Sequence, residues 1–177
     1  MTKVAFLDRD GTINVDKSYV HRKEEFEFLP GVIDALKKLT ILGYKLIIIT
    51  NQSGIARGYY SEEEYLTLDK WLKSTLTDQG IEIMDSLYCP HLPDAVIPKY
   101  RVQCNCRKPG IALFQQVIEK YNVDMQNSIA IGDRLRDVER CKSTPIKGYV
   151  LYQKIEKKED NIHFLCNGME DVIKYIR

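Results

Sequence analysis

Hydrophobic residues fall in short, mainly apolar runs separated by longer segments in which apolar residues recur at helical spacing. A short apolar run rich in β-branched residues is typical of a strand that is buried on both faces. Five such runs predict strands over Val4–Leu7, 46–49, Ile83–Cys89, 128–132 and 146–152. Polar clusters follow the first, second and fourth of these predicted strands directly.

The segments between the runs predict helices. Ser61 is suited to cap a helix that runs to about Asp78, and Glu64 completes a capping box with it. Further helices are predicted between Pro30-Gly31 and Gly43, over 111–121, after Asp133 and over 169–176, with 154–161 as a solvated linker. Because strands and helices alternate, the sequence predicts an α/β fold with a Rossmann-like parallel sheet covered by helices on both faces.

Length and composition narrow the class of protein. The 177 residues predict a single domain over 1–177, with no separate cap domain. Hydrophobic residues make up 44% of the chain, and a formal net charge of +1 gives no general attraction to nucleic acid or acidic lipid. The first strand starts without a leader, and no apolar stretch approaches the ~20 residues of a membrane span. We therefore expect a cytoplasmic monomer with no nucleic-acid or membrane partner.

Two carboxylates, Asp8 and Asp10, stand at the end of the first predicted strand. Ligands of open α/β sheets bind in the crevice beyond the strand ends, and Gly11 gives the loop the freedom to curl back. Two like charges held close together repel, and Mg²⁺ is the natural partner for such hard oxygen ligands. The alternative is that the two residues only close a turn.

Neutral donors and cations follow later in the chain. Thr50, Asn51 and Ser53 end the second strand, and their hydroxyl and amide groups suit a phosphate oxygen, although a Thr-Asn turn is the simpler interpretation. Arg107 and Lys108 could hold a phosphoryl group and the charge that develops on it. As an isolated basic pair they would instead form a solvated face.

Two further segments extend the candidate site. Asp133 follows the fourth strand and offers another carboxylate for the cation. Asp137 could do the same or could favour the first turn of its helix. The polar segment 14–28 crosses the space above the first strand end, which makes it a candidate substrate loop.

The five cysteines are an odd number in a chain without a leader, which argues against a disulfide framework. Cys89-x-His91 and Cys104-x-Cys106 supply three thiolates and an imidazole, which suit tetrahedral Zn²⁺; the alternative is a cluster of reduced core cysteines. Four protein ligands leave no open position, so this zinc would be structural and would stiffen the loop that carries Arg107. Cys141 and Cys166 are expected to be small buried residues, and His21 and His163 to have surface or satisfied polar roles.

Four motifs in order resemble those of the haloacid dehalogenase superfamily of phosphohydrolases. They are Asp8-x-Asp10-Gly11-Thr12, Thr50-Asn51, Lys108 and Gly132-Asp133-x-x-x-Asp137. Residues 8–14, 50–58 and the loop 89–108 further resemble the D-glycero-D-manno-heptose 1,7-bisphosphate phosphatases, with similarity from about residue 4 to residue 152. Histidinol-phosphate phosphatases form the nearest sister group, and segment 53–58 favours the heptose group.

The resemblance implies a role for each motif residue. Asp8 would be the nucleophile that becomes a phosphoaspartate, and Asp10 would be the general acid and then the general base. Mg²⁺ would be held by Asp8, the backbone carbonyl of Asp10, and Asp133. The phosphoryl group would be stabilised by Thr50, Arg107 and Lys108, and the rest of the substrate would contact Asp16, Lys17, Ser18, Tyr19, Asn51, Gln52, Ser53 and Arg134.

The resulting hypothesis is a Mg²⁺-dependent phosphatase that removes the 7-phosphate of a heptose 1,7-bisphosphate, on the way to nucleotide-activated heptose for surface polysaccharide. The alternatives are a histidinol-phosphate phosphatase and a non-catalytic phosphate-accepting domain. A pure phosphate acceptor would not require Asp10. A nucleic-acid-end phosphatase or a zinc-loop binding module would be expected to carry a basic stripe with exposed aromatic residues, which the near-neutral charge disfavours.

Overall fold

A computed structural model describes residues 1–153, 158–159 and 161–176, which fold around one seven-stranded sheet. The strands are β1 (Val4–Leu7), β2 (Lys45–Asn51), β3 (Ile83–Cys89), β4 (Ile129–Gly132), β5 (Lys147–Val150), β6 (Lys158–Glu159) and β7 (Ile162–Phe164). The helices are α1 (Val32–Ile41), α2 (Ser53–Ala56), α3 (Glu62–Asp78), α4 (Ala112–Tyr121), α5 (Leu135–Val138) and α6 (Met169–Tyr175).

The strand order is β3-β2-β1-β4-β5-β7-β6, and every neighbouring pair is parallel except β6 with β7. The chain builds outward from β1 through β2 to β3 and then returns to place β4 on the other side of β1. This reversal opens a crevice beyond the carboxyl ends of β1 and β4, where ligands of such sheets bind.

Alternate residues of β1 pack into two separate cores. Ala5 and Leu7 face the core covered by α1, α3 and α6. Val4 and Phe6 face the core covered by α4 and α5, where the Phe6 ring lies 5.1 Å from that of Phe114. All four β1 residues are buried, as expected for a strand with helices on both faces. The predicted α/β fold class is therefore confirmed.

The start of α3 agrees with its sequence signature. The Ser61 hydroxyl accepts a hydrogen bond from the Glu64 backbone N–H at 3.1 Å, and the Glu64 carboxylate accepts one from the Ser61 N–H at 2.8 Å. This capping box satisfies two backbone donors that the helix would otherwise leave free. The part of the chain described here has no helix long and apolar enough to cross a bilayer.

The sequence interpretation is wrong for part of the segment 154–161. Lys158–Glu159 forms β6 and pairs antiparallel with β7, a strand that was not predicted. A three-residue strand and its two-residue partner are too short to produce a periodic signal, and β7 becomes a strand because it lies along β5. Residues 154–157 and 160 of the predicted linker lie outside the described residues.

Candidate active site

A cleft of about 410 Å³ opens at the carboxyl ends of β1, β2 and β4. Its lining includes the following residues that the sequence analysis proposed: Asp8, Asp10, Asp16, Ser18, Tyr19, Thr50, Asn51, Gln52, Ser53, Arg107, Lys108, Asp133, Arg134 and Asp137. Lys17 is the exception among the proposed substrate residues, because it lies outside this lining and pairs with Glu27 at 2.7 Å on the surface. Residues distant in sequence thus share one site.

Lys108 is the cation at the centre of the cleft. Its ammonium group donates to the Asp8 carboxylate at 2.7 Å and to the Ile49 carbonyl at 2.7 Å, and it lies 2.8 Å from an Asp137 oxygen. The side chain is buried, so all three protons are used within the protein. Burial alone would lower the pKa of Lys108, but the Asp8 and Asp137 carboxylates outweigh it and raise the pKa.

The carboxylates of Asp8, Asp133 and Asp137 form a cluster in which one oxygen of each lies within 4.8 Å of the others. Burial raises the pKa of Asp8 to about 7, and the nearby Asp137 charge acts in the same direction. Burial and Asp137 also raise the pKa of Asp133. Gly11 adopts φ +81° above this cluster, where a side chain would collide with Asp133. The cluster therefore carries more negative charge than Lys108 alone relieves.

The Asp10 carboxylate is fixed by side chains from three segments. It accepts hydrogen bonds from Arg9 Nε at 3.1 Å and Nη2 at 2.9 Å, from Asn14 Nδ2 at 3.0 Å and from Gln52 Nε2 at 3.1 Å. Four donors on one carboxylate define its orientation closely. The side chain of Asp10 is still 21% exposed, so one side of it faces the cleft.

Asn51 and Gln52 line the cleft and also bind other protein groups. The Asn51 amide accepts from the Lys108 N–H at 2.9 Å and donates to the Lys108 carbonyl at 3.1 Å. Gln52 donates to the Thr50 hydroxyl at 2.8 Å and accepts from the Tyr60 hydroxyl at 2.6 Å. These contacts hold Thr50, Lys108 and Asp10 in a common framework.

The predicted substrate loop crosses the cleft opening as expected. Its two ends are tied together by hydrogen bonds from Val15 to Glu27 and from Leu29 to Ile13, at 2.8 and 3.0 Å. Ser18 and Tyr19 both have φ of 62°, a left-handed conformation that is costly for non-glycine residues. Such strain is common where a loop is held in a functional geometry, and here it sets the Tyr19 ring at the rim.

Sequence analysis missed three residues of the cleft, namely Arg57, Tyr60 and Arg136. Together with Arg107 and Arg134, the two arginines surround the cleft with guanidinium groups. Burial lowers the pKa of Arg107, and the neighbouring charges of Arg136 and Arg57 contribute to the shift. Within the described residues, the buried Nε of Arg57 and Nη1 of Arg107 have no hydrogen-bond partner. Both side chains line the cleft, so they add positive charge beside any anion bound there.

Cys89, His91, Cys104 and Cys106 converge as the sequence predicted. The Sγ atoms of Cys89 and Cys104 lie 3.5 Å apart, and Cys106 Sγ lies 3.1 Å from each of them. His91 Nδ1 is 3.2 Å from Cys106 Sγ and 3.8 Å from Cys89 Sγ. Burial raises the pKa of the Cys89 thiol, whereas hydrogen bonds from its neighbours outweigh burial and lower the pKa of Cys104 to about 6. This donor set is compatible with tetrahedral zinc.

The loop that contains this cluster is attached to α3 through Glu62. The Glu62 carboxylate accepts hydrogen bonds from Tyr100 at 2.6 Å, Tyr88 at 2.9 Å and Lys99 at 3.0 Å. The Tyr100 hydrogen bond is the largest of the effects that lower the pKa of Glu62. A further hydrogen bond joins the Ile97 N–H to a carbonyl of α2 at 3.1 Å. The cysteine loop is therefore anchored next to the cleft.

The remaining cysteines and histidines have separate environments. Cys141 is buried as expected, but Cys166 is exposed, because it lies in the bend between β7 and α6. The expectation of burial is therefore wrong for Cys166. The His21 ring stacks on Tyr60 at 4.8 Å, and the His163 ring stacks on Tyr149 at 5.3 Å.

Comparisons with known proteins agree with this architecture. A family model described as polynucleotide kinase 3 phosphatase matches residues 3–161. The chain belongs to this phosphatase family. The match spans β1 to β6, so it includes the strand ends and loops that form the cleft. Assignment to the haloacid dehalogenase superfamily is thereby confirmed.

Individual relatives resemble this phosphatase in sequence and in fold over most of their length. The D-glycero-alpha-D-manno-heptose-1,7-bisphosphate 7-phosphatase of Photorhabdus laumondii subsp. laumondii is 48% identical over 77% of this chain and 74% of its own. The beta-heptose enzyme of the same organism is 39% identical over 97% of this chain and 94% of its own. A crystal structure of D,D-heptose 1.7-bisphosphate phosphatase from B. bronchiseptica, complexed with magnesium and phosphate, superimposes with a TM-score of 0.83, at 26% identity over 99% and 98% of the two chains.

Proposed function

We propose that this phosphatase removes the 7-phosphate of D-glycero-D-manno-heptose 1,7-bisphosphate through a phosphoaspartate on Asp8. The observation that carries the proposal is the pairing of Asp8 and Asp10 at one strand end, with Lys108 bound to Asp8 at 2.7 Å. The heptose substrate is supported by the relative that is 39% identical over 97% of this chain.

The residues present fit a magnesium ion. Asp8 and Asp133 offer hard oxygen ligands within 4.8 Å of each other. Burial and, to a smaller extent, the Asp137 charge raise the pKa of both groups, and a bound cation would favour their charged forms. Asp137 stands in the same cluster but is engaged by Lys108 and by the Arg134 N–H at 3.0 Å. When bound, Mg²⁺ would supply charge neutralisation between the attacking carboxylate and the phosphoryl oxygens.

Asp8 acts as the nucleophile. One carboxylate oxygen attacks phosphorus, the bond from phosphorus to the sugar oxygen breaks, and its electron pair remains on that oxygen. Lys108 orients Asp8 and offsets its charge, while Thr50 and Arg107 are placed to stabilise the phosphoryl oxygens. Because Lys108 uses its protons on Asp8, Ile49 and Asp137, its position is fixed before substrate arrives.

Asp10 serves both halves of the reaction. Its carboxyl protonates the leaving sugar oxygen, and the resulting carboxylate then takes a proton from the water that attacks the phosphoaspartate. The four donors on Asp10 hold it on the cleft side of the loop, two residues after Asp8. This use of Asp10 distinguishes an enzyme from a pure phosphate acceptor.

A bisphosphate substrate accounts for the arginines around the cleft. The reacting phosphate would lie beside Asp8, Lys108 and Arg107, which leaves Arg57 and Arg136 for the second phosphate. Charge-assisted hydrogen bonds to phosphate are short and strong, and the side chains of Arg57 and Arg136 both line the cleft. Histidinol phosphate, with its one phosphate and a cationic amine, matches this positive rim less well.

The cysteine and histidine cluster has a structural role in this proposal. Cys89, His91, Cys104 and Cys106 would hold Zn²⁺ with no open coordination position, so this ion would bind no substrate. The cluster ends one residue before Arg107 and two before Lys108, and it therefore fixes where these two cations enter the cleft.

The product would be a heptose 1-phosphate, which a nucleotidyltransferase can convert to nucleotide-activated heptose for surface polysaccharide. Because that reaction consumes a nucleoside triphosphate, we infer a cytoplasmic location. We also propose that residues 1–177 act as a single domain on a small sugar phosphate.

The test is to incubate the protein and Mg²⁺ with each anomer of the heptose 1,7-bisphosphate and follow both phosphates by ³¹P NMR. We expect loss of the 7-phosphate signal with the 1-phosphate retained. An Asp8→Asn variant provides the control for contaminating phosphatases. Release of the 1-phosphate, or no release from either anomer, would contradict the proposal.

A further inference from the structure

The Arg9 side chain is buried between the loop that follows β1 (residues 8–14, the acidic loop) and the substrate loop (14–28). It is 1% exposed, and its Nε and Nη2 bind both oxygens of the Asp10 carboxylate at 3.1 and 2.9 Å. Its Nη2 also donates to the Val20 carbonyl at 2.6 Å. The Tyr65 ring lies 5.8 Å from the guanidinium carbon. Each polar contact of Arg9 therefore goes to a functional loop.

A turn in the acidic loop makes the contact between these adjacent residues possible. The Arg9 carbonyl accepts hydrogen bonds from the N–H groups of Thr12, Ile13 and Asn14 at 3.2, 2.8 and 3.2 Å. This turn brings two consecutive side chains together, whereas an extended chain would send them to opposite faces. The geometry of the acidic loop thus allows the two hydrogen bonds from the Arg9 guanidinium to the Asp10 carboxylate, which we call the fork.

Stability alone is a poor reason for this arrangement. Removing a guanidinium and a carboxylate from water carries a desolvation cost that their attraction does not reliably repay. Arg9 Nη1 is also buried without a hydrogen-bond partner in the described part of the chain, which adds to that cost. A buried, incompletely satisfied charge beside a reacting group is more readily explained by a need for fixed orientation.

We propose that Arg9 is a positioning residue that aims the Asp10 carboxyl at the leaving oxygen and ties it to the substrate loop. The inference rests on the proposed function of Asp10 as general acid. Through Val20, the same guanidinium connects Asp10 to the segment that carries Ser18 and Tyr19 at the rim. Binding of the sugar against that segment and proton transfer by Asp10 are thereby linked through one side chain.

The proposal predicts a dependence on the leaving group. As the Asp8 oxygen bonds to phosphorus, the proton of Asp10 passes to the ester oxygen that departs. A sugar alkoxide is a poor leaving group and needs this proton, whereas a nitrophenolate leaves without it. Misplacing Asp10 should therefore slow phosphoryl transfer from a sugar phosphate much more than from an aryl phosphate.

The experiment compares kcat/KM for the heptose bisphosphate and for p-nitrophenyl phosphate in wild-type protein, Arg9→Met and Arg9→Lys. This parameter reports steps up to formation of the phosphoaspartate, so later hydrolysis does not enter. We expect Arg9→Met to lose about 100-fold on the sugar phosphate and less than about 10-fold on the aryl phosphate. Arg9→Lys keeps the charge but not the fork, and should recover only part of the loss.

Tyr65→Phe is the matched control, since it keeps the ring near Arg9 and should leave the ratio of the two kcat/KM values unchanged. An equal loss on both substrates in Arg9→Met and Arg9→Lys, or full recovery by lysine, would overturn the positioning role. If the wild-type protein hydrolyses p-nitrophenyl phosphate but not the heptose bisphosphate, the proposed substrate is wrong. The ratio is then measured against another alkyl phosphate, glucose 6-phosphate, so the Arg9 test stands separately.

Discussion

The side-chain amide of Asn51 forms two hydrogen bonds with the backbone of Lys108, donating to its carbonyl at 3.1 Å and accepting from its N–H at 2.9 Å. The two residues lie 57 positions apart, on β2 and at the end of the cysteine loop. One amide thus joins the strand that ends in Thr50 to the cation that holds Asp8.

Replacing Asn51 with alanine should lower phosphatase activity through Lys108. The change leaves one donor and one acceptor of the Lys108 backbone without their partner, at a cost of about 1 to 3 kcal/mol for each group that stays dry. We expect kcat to fall about 10- to 100-fold as the ammonium group loses its fixed position. Steady-state kinetics would measure this effect.

Asn127→Ala is the control for the Asn51 variant, because Asn127 is an exposed residue that bonds to Asp124 outside the cleft. It should behave as wild type. Unchanged kcat in Asn51→Ala would show that Lys108 is positioned without this amide.

Replacing Asp10 with asparagine should abolish turnover and also destabilise the fold. The variant removes the negative partner of the buried Arg9 guanidinium, which leaves a charge uncompensated. We expect a loss of about 1 to 3 kcal/mol in the free energy of unfolding, reduced from the fully buried case because Asp10 keeps contact with solvent. Urea denaturation measures the loss.

The double variant Arg9→Met/Asp10→Asn separates charge burial from other effects of the Asp10 change. Removing both charges together should restore part of the stability lost in Asp10→Asn. A double variant less stable than Asp10→Asn by the full cost of Arg9→Met would mean that the pair is not coupled.

The main elements of this site could be predicted because they lie at strand ends. Asp8, Thr50 and Asp133 directly follow or end apolar runs, and parallel strands bring such positions to one edge. The same reasoning could not find Arg57 or Arg136. Arg57 directly follows the short helix α2 and Arg136 lies in the short helix α5, and the direction of both helices depends on tertiary packing rather than on periodicity.

The environments of three other proposed substrate residues have equally local causes. Lys17 was grouped with Asp16 and Ser18, yet it pairs with Glu27 because neighbouring residues of a curved loop point in different directions. Gln52 and Asn51 line the cleft, and their contact with substrate stays a prediction. They also bond to Asp10 and to the Lys108 backbone, respectively. The spacing of polar residues in the sequence does not predict which partner each side chain of a polar cluster will bind.

Magnesium affinity should depend on pH through Asp8. Burial raises its pKa from the usual carboxyl range to about 7, so below pH 7 the metal-free protein holds a proton that the ion must displace. Apparent affinity should therefore fall about tenfold for each pH unit below 7 and level off above it. Calorimetric titrations from about pH 5.5 to 8.5 test this dependence, and an affinity that is constant across the range would contradict it.

Removing zinc should destabilise the protein without removing any ligand from the cluster of Asp8, Asp133 and Asp137. The thiolates of Cys89, Cys104 and Cys106 would repel one another or take up protons once the ion is gone. We expect Cys106→Ser to lose about 2 kcal/mol, which lowers Tm by about 4 to 8 °C for a chain of this size. Metal analysis should find about one zinc per wild-type chain and much less in the variant.

Cys166→Ser is the matched control for the zinc variant, because Cys166 is exposed and lies outside the cluster. Its zinc content and Tm should equal those of wild type. Wild-type protein purified without zinc but with full stability would contradict the structural role of the ion.

The most direct test of the proposed function compares phosphate release from heptose 1,7-bisphosphate with release from histidinol phosphate, using the same protein and Mg²⁺. The arginines around the cleft favour the substrate with two phosphates, so we predict a kcat/KM at least about 100-fold higher for the heptose compound, equivalent to ~2.7 kcal/mol of transition-state stabilisation. Equal turnover of the two substrates, or a preference for histidinol phosphate, would contradict the account.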